Sequence, residues 1–192
     1  HLSHSAVNEF LRCPRKFYWH RVEKREPEFM PAPFAFGRAF HAAIERYHGA
    51  CRWNESADTD SMMEAFCLEW EDATEDRDVP GLNRHTAKER AIPMVKAFLA
   101  YAEENIPDDR EVVAVEEFFW IDDLEDLPSI CGCIDLVERD PDGMEILTDF
   151  KTSSYLSREH DMDQLALYRR GLDDLDKVNA TGELNGSVIC QY

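Results

Sequence analysis

The 192-residue sequence predicts a mixed α/β domain, helical in its first half and strand-rich in its second. Two observations carry this. Apolar residues recur at helical spacing in the first half, as in Met63, Phe66, Cys67 and Trp70 at i, i+3, i+4 and i+7. Further on the period shortens to two, in β-branched and aromatic runs such as EVVAVEEFFWI and MEILTDFK. The length suits a single domain over 1–192, with 1–106 mainly helical and 107–192 carrying the sheet.

Taken in order, Ser5 can cap a short helix with Val7, Phe10 and Leu11 as its apolar face. That helix should end at Cys13-Pro14, because proline disfavours helix at the residue before it. A basic and aromatic stretch, Arg15 to Arg21, and a proline-punctuated one, Pro27 to Pro33, follow. Helices are then expected near 36–49, with Phe40, Ile44 and Tyr47 on one stripe, near 61–76, and near 84–105, where Phe98, Tyr101 and Ala102 face inward. Pro93 should start or kink the last of these. Strands are expected at 111–121, 130–139 and 144–151, then a helix near 160–174 and a final strand at 187–192.

Composition narrows the function only partly. No apolar run reaches the ~18 residues of a membrane span, and nothing reads as a signal peptide. Six scattered cysteines include no CxxC pair, so a closed zinc site is not indicated, and reduced thiols in a cytoplasmic protein are expected. Net charge is −19, the wrong sign for an obvious nucleic-acid binder. It is unevenly spread, however: residues 1–46 carry eight Lys/Arg against five Glu, a net of +3, which leaves −22 for the rest.

The chemistry lies on one hairpin. Asp140-Pro141-Asp142-Gly143 has the residues of a type I turn ending in a left-handed glycine, the three-residue loop with a G1 bulge. Closing that loop on Asp140 and Met144 puts Asp135 opposite Asp149 and Cys133 opposite Lys151. Period two also puts Asp149 and Lys151 on one face. Opposed residues have Cβ atoms ~4.5–5.5 Å apart, where like charges destabilise, so two facing carboxylates call for a cation. A hard divalent ion such as Mg²⁺ or Mn²⁺ suits them, and Lys151 beside it can orient water or neutralise charge on a phosphate. From the hairpin alone, a solvated surface ion pair is an equal alternative.

Motifs elsewhere bear on that choice. Gly132-x-x-Asp135, then Asp149-Phe150-Lys151-Thr152, then Gln164-x-x-x-Tyr168 resembles the PD-(D/E)XK nucleases, in particular their RecB-like exonuclease branch. Gly37-Arg38-Ala39-Phe40-His41 is similar to that branch's helical GxxxH motif, and Leu2-Ser3-His4-Ser5 with Phe10 and Cys13-Pro14 to its usual start. These matches keep the family's order from residue 2 to residue 168. The pattern is similar to that of the CRISPR-associated and AddB/RecB nuclease domains.

The resemblance implies a restriction-endonuclease-like core, a central mixed sheet flanked by helices, with a C-terminal part of the family domain lying beyond residue 192. It implies a divalent-metal-dependent DNA nuclease, by family habit an exonuclease, hydrolysing phosphodiesters with a metal-activated water. Asp135, Asp149 and His41 would be metal ligands with the Phe150 backbone carbonyl, and His41 would favour Mn²⁺. Lys151 would be the catalytic lysine, while Gln164 and Tyr168 would organise the site and hold DNA. Glu116 or Glu117 would be an outer acid. Read singly, His41 is a core histidine, Tyr168 packs with Leu165 and Leu172, and Gln164 is a solvated helix residue.

Arg15 and Lys16, beside Phe17 and Trp19, can meet single-stranded DNA by charge and stacking, although core packing of the rings is the simpler reading. Cys13 matches the first ligand of the [4Fe–4S] cluster that many such nucleases hold. The closely spaced C-terminal trio is absent, so no cluster is expected in this chain. DNA is the expected partner, with helicase or CRISPR-type proteins as further ones and no membrane. A non-catalytic DNA-binding or scaffolding domain of such a complex is the competing reading.

Overall fold

The computed structural model describes residues 1–122, 128–152 and 158–174, for 158–162 and 173–174 by backbone alone. The expected strand at 187–192, with Cys190, lies outside the described residues.

Leu2 forms a parallel bridge with Ile130, its N–H donating to Ser129 and its carbonyl accepting from Cys131, both at 2.8 Å. The chain therefore stays extended through Ser3, and helix α1 (His4–Arg12) begins there. Ser3, not Ser5, is the cap, its hydroxyl accepting from the Ala6 N–H at 3.2 Å. A second correction concerns the expected apolar face, since Val7, Phe10 and Leu11 are exposed and Ala6 is the buried residue. The helix does end at Cys13, and Pro14 opens the next turn, α2 (Pro14–Phe17), which runs into a π-helical turn at Tyr18–Val22.

Three long helices follow: α3 (Ala32–Arg52), α4 (Thr59–Thr74) and α5 (Arg84–Asn105). Reciprocal capping boxes start two of them, Asp58 with Ser61 and Asn83 with Thr86, each satisfying two otherwise orphaned backbone donors. Pro93 neither starts nor ends α5, which runs on through it. Phe40, Ile44, Met63, Phe66, Trp70, Phe98 and Ala102 are buried where the periodicity put them. Burial of Phe40, Phe66 and Phe98 contributes about 1.5–3 kcal/mol each.

Strands β1 (Glu111–Ile121), β2 (Ile130–Arg139) and β3 (Glu145–Thr148) form an antiparallel meander in that order, and α6 (Arg158–Asp174) packs on it. The Pro141-Asp142-Gly143 loop is as expected: the Asp140 N–H donates to Met144 and the Gly143 N–H to Asp140, both at 3.0 Å, with Gly143 at φ +85. The register also holds, from Arg139–Glu145 to Leu136–Thr148. Strand β3 nevertheless ends at Thr148, three residues short of the expected Lys151. There the Phe150 N–H donates to the Asp135 carboxylate instead of a β2 carbonyl. The facing of Cys133 and Lys151 expected from a longer hairpin therefore has no ladder behind it, and Cys133 pairs with Phe118 of β1.

Two apolar cores flank the sheet. Leu136 and Phe150 join the core of α3, α4 and α5, while Val137, Ile134 and Phe119 join the one under α6. Successive strand residues such as Leu136 and Val137 point to opposite faces, so the helices sandwich the sheet. Both strand pairs of the sheet are antiparallel, and the parallel pairings among the described residues are the isolated bridges Leu2–Ile130 and Phe29–Asp78.

Candidate metal centre and active site

Helix α3 delivers His41 to the face of the sheet where β1 and β2 carry Glu116 and Asp135. One ligand atom from each of these three residues lies within 4.8 Å of the others. His41 Nδ1 is 3.7 Å from Asp135 Oδ2. Helix α3 comes close at Gly37, where a Cβ would stand 3.2 Å from the Thr152 hydroxyl oxygen, tighter than ordinary contact. Gly132, the other motif glycine on this side, clears the ring of Phe119, which a Cβ would meet at 2.6 Å.

Glu116 reaches the cluster through an unusual backbone. Its φ is +51, in the left-handed region that costs a non-glycine residue about 1–3 kcal/mol and that collects at functional sites. The flanking pairs Val115–Leu136 and Glu117–Ile134 place it opposite Asp135. Val115 packs toward the α3 side, and Phe119 and Ile121 pack toward α6. The left-handed residue thus breaks the alternation of β1, so that Val115 and Glu116 both lie on the α3 side. The Cys133 thiol donates to Glu116 Oε2 at 3.1 Å, and burial first, then Glu116 itself, keeps that thiol protonated.

Asp135 is mostly buried, and burial pushes its carboxyl up to about 6. His41 and the Phe150 N–H oppose that rise, whereas Asp149 and Glu116 add to it. The two hairpin carboxylates therefore feel one another, although the ladder that was expected to pair them ends one step earlier, at Leu136–Thr148. Glu45, whose own carboxyl is raised by burial and then by Glu116 and Glu69, adds further negative charge. His41, Glu45, Glu69, Glu116 and Asp135 line an open cleft of about 480 Å³ between α3 and the sheet. An imidazole nitrogen and clustered carboxylate oxygens, short of positive charge, fit a divalent cation.

Beside the cluster lies a second constellation. Lys151 pairs with the Asp149 carboxylate and donates to Gln164 Oε1 at 3.0 Å. The Gln164 amide donates to Asp149 Oδ1 at 2.8 Å and to the Tyr168 hydroxyl. One side chain of α6 thereby fixes the lysine, the aspartate and the tyrosine together. Tyr168 is both core and site: its ring lies edge-on to Phe119 at 5.8 Å, and its hydroxyl is 3.4 Å from Asp149. Burial first, then Asp149 and Asp135, raises its phenol pKa, so it stays protonated.

The structure brings His41, Asp135, Asp149, Phe150, Lys151, Gln164 and Tyr168 into one region. Between the two candidate outer acids it selects Glu116, and it puts that residue's carboxylate in the His41–Asp135 cluster. Alternation carries a signal for that choice, since with Phe119 and Ile121 buried under α6 it puts Glu116, and not Glu117, on the opposite face. Arg15 lies over the Trp19 ring at 4.5 Å, Lys16 pairs with Glu9 at 3.7 Å, and Cys13 is an exposed free thiol capping α1. None of the three belongs to the cluster.

A mixed α/β core that holds a helix-borne histidine, hairpin carboxylates and a lysine at one cleft has the build of a metal-dependent nuclease. The chain belongs to the PD-(D/E)XK nuclease superfamily, whose family model matches residues 1–191. No curated protein matches the sequence. Nucleases of this superfamily use divalent metals, in keeping with the His41–Glu116–Asp135 cluster. Among the described residues no helix is long and apolar enough to cross a membrane.

Proposed function

We propose that the protein is a divalent-metal-dependent deoxyribonuclease, an exonuclease of the RecB-like branch, working with Mg²⁺ or Mn²⁺. The observation that carries this reading is the His41–Glu116–Asp135 cluster lying next to the linked Asp149, Lys151 and Gln164. His41, Glu116 and Asp135 would hold the metal, with Asp149 and the Phe150 carbonyl completing its shell. A bound divalent ion supplies Lewis acidity toward a phosphate oxygen and a water.

The chain's own groups do the rest. Lys151, held by Asp149 and Gln164, presents fixed positive charge to a scissile phosphate and needs no reorganisation as negative charge develops. Gln164 keeps the lysine and Asp149 in register, and the Tyr168 hydroxyl supports that amide from behind. The cleft between α3 and the sheet admits the strand, with Gly37 and Thr152 setting its wall.

The exonuclease assignment rests on the RecB-like order of the motifs, as do a part in DNA repair or recombination and helicase or CRISPR-type partners, whereas a cytoplasmic location rests on the scattered cysteines. Digestion of end-labelled single- and double-stranded DNA with Mn²⁺ or Mg²⁺, beside closed circles, tests it. Stepwise loss from ends with intact circles supports the reading. Cutting of circles overturns the exonuclease part, and no cleavage of any DNA overturns the whole.

A further inference from the structure

We propose that Phe118 and Trp120 form a stacking track on which the bases of a single nucleic-acid strand lie as it leaves the metal cluster. This rests on the nuclease reading above and names its substrate as a single-stranded end.

The two rings are half-exposed, at 50% and 43%, on a strand whose alternate residues Phe119 and Ile121 are fully buried under α6. Phe118 and Trp120 therefore face the other way, toward the side from which α3 brings His41. They lie two and four residues beyond Glu116, so at about 3.3 Å per residue they begin ~7 Å from it and end ~13 Å away. That puts them within reach of the bases flanking a phosphate at the cluster. Their centroids are 5.5 Å apart, and the His1 imidazole lies edge-on to Trp120 at 5.0 Å.

Large rings left open on a sheet face invite a partner. Charge points to which one. Trp120 pairs with Cys131 and Ile121 with Ile130, and Leu2 bridges to that same Ile130. From there the chain runs directly into the segment holding Arg12, Arg15, Lys16, Arg21, Lys24 and Arg25, the net-positive part of a protein of charge −19. A strand running from the cluster over Phe118 and Trp120 thus leaves the acidic cleft toward the basic end. An unpaired strand offers base faces to stack, whereas duplex hides them, so the track selects single strands.

The test is binding of a labelled oligothymidylate to the full chain, read by fluorescence anisotropy in Ca²⁺ and in EDTA, with thermal melts to confirm folding. Wild type should bind the single strand more tightly than a duplex of equal length. Phe118→Ala and Trp120→Ala should each weaken single-strand binding about tenfold, and Trp120→Phe should restore most of it. Trp53→Ala removes a more exposed tryptophan at the end of α3 and should change nothing. Undiminished affinity in both alanine variants, equal duplex binding, or a dimer that Trp120→Ala dissociates would overturn the track. Binding that needs the rings without any Mn²⁺-dependent cleavage would sink the nuclease reading and leave the track standing; cleavage indifferent to the rings would do the reverse.

Discussion

Asp135 and Phe150 are joined side chain to backbone, the Phe150 N–H donating to Asp135 Oδ2 at 2.7 Å. That bond takes the place of the next rung of the β2–β3 ladder. It ends β3 at Thr148 and holds the Asp149-Phe150-Lys151 segment against the carboxylate that faces His41. The hairpin is therefore cut short where its chemistry begins.

Glu116→Gln should keep the fold and lower Mn²⁺ affinity roughly tenfold or more, measured by calorimetry, since it removes one charged ligand from a set of three. Wild type should gain about 2.7 kcal/mol of stability at a hundred times the dissociation constant, and the variant far less at the same concentration. Glu117→Gln should bind the metal as wild type does.

Gln164→Leu should reduce cleavage by about tenfold to a hundredfold in kcat while leaving the melting curve nearly in place, a range typical for groups that orient ligands. Tyr168→Phe keeps the ring against Phe119 and should cost less activity than Gln164→Leu. Tyr168→Ala should instead unfold the protein earlier, losing about 3–5 kcal/mol by the cavity it leaves.

Gly132 and Gly171 pinch the same buried ring from two sides, β2 and α6, and a Cβ on either would run into Phe119. Gly132→Ala should cost about 1–3 kcal/mol by overpacking, read from urea unfolding. Phe119→Leu placed in the Gly132→Ala background should recover part of that loss. Additive losses in the double variant would show that the ring is not the obstacle.

His48 is buried between Phe98 and Phe150, and burial lowers its pKa to about 4. In the unfolded chain it titrates near 6.5, so below that pH the unfolded state takes up the extra proton. Its contribution is intact above pH 6.5 and is lost as pH falls through 4, up to about 3 kcal/mol. His48→Phe should flatten the stability curve of wild type between those two values. Parallel curves for the two proteins would refute this.

Much of the frame was legible because it rests on short-range chemistry. Strands 111–121 and 130–139 and helix 84–105 lie where their periods placed them, and the Pro-Asp-Gly loop set the register without long-range knowledge. What escaped was decided across the fold. Leu2 docks on Ile130 and moves the first cap to Ser3. The Asp135 carboxylate takes a backbone donor and shortens β3. Glu116 turns into the left-handed region, so strand alternation alone could not foresee that Val115 beside it also faces α3. The roles of Gly37 and Gly132 as motif residues likewise become physical only once Thr152 and Phe119 are seen beside them.

The most direct test is Mn²⁺-dependent cleavage of end-labelled single-stranded DNA by wild type, Asp135→Asn and Lys151→Ala. The asparagine keeps an acceptor for the Phe150 N–H, and Lys151 is partly exposed, so both variants should melt close to wild type. Wild type is expected to degrade the strand and each variant to lose at least a hundredfold in rate. Folded variants that cut at the wild-type rate would contradict the assignment.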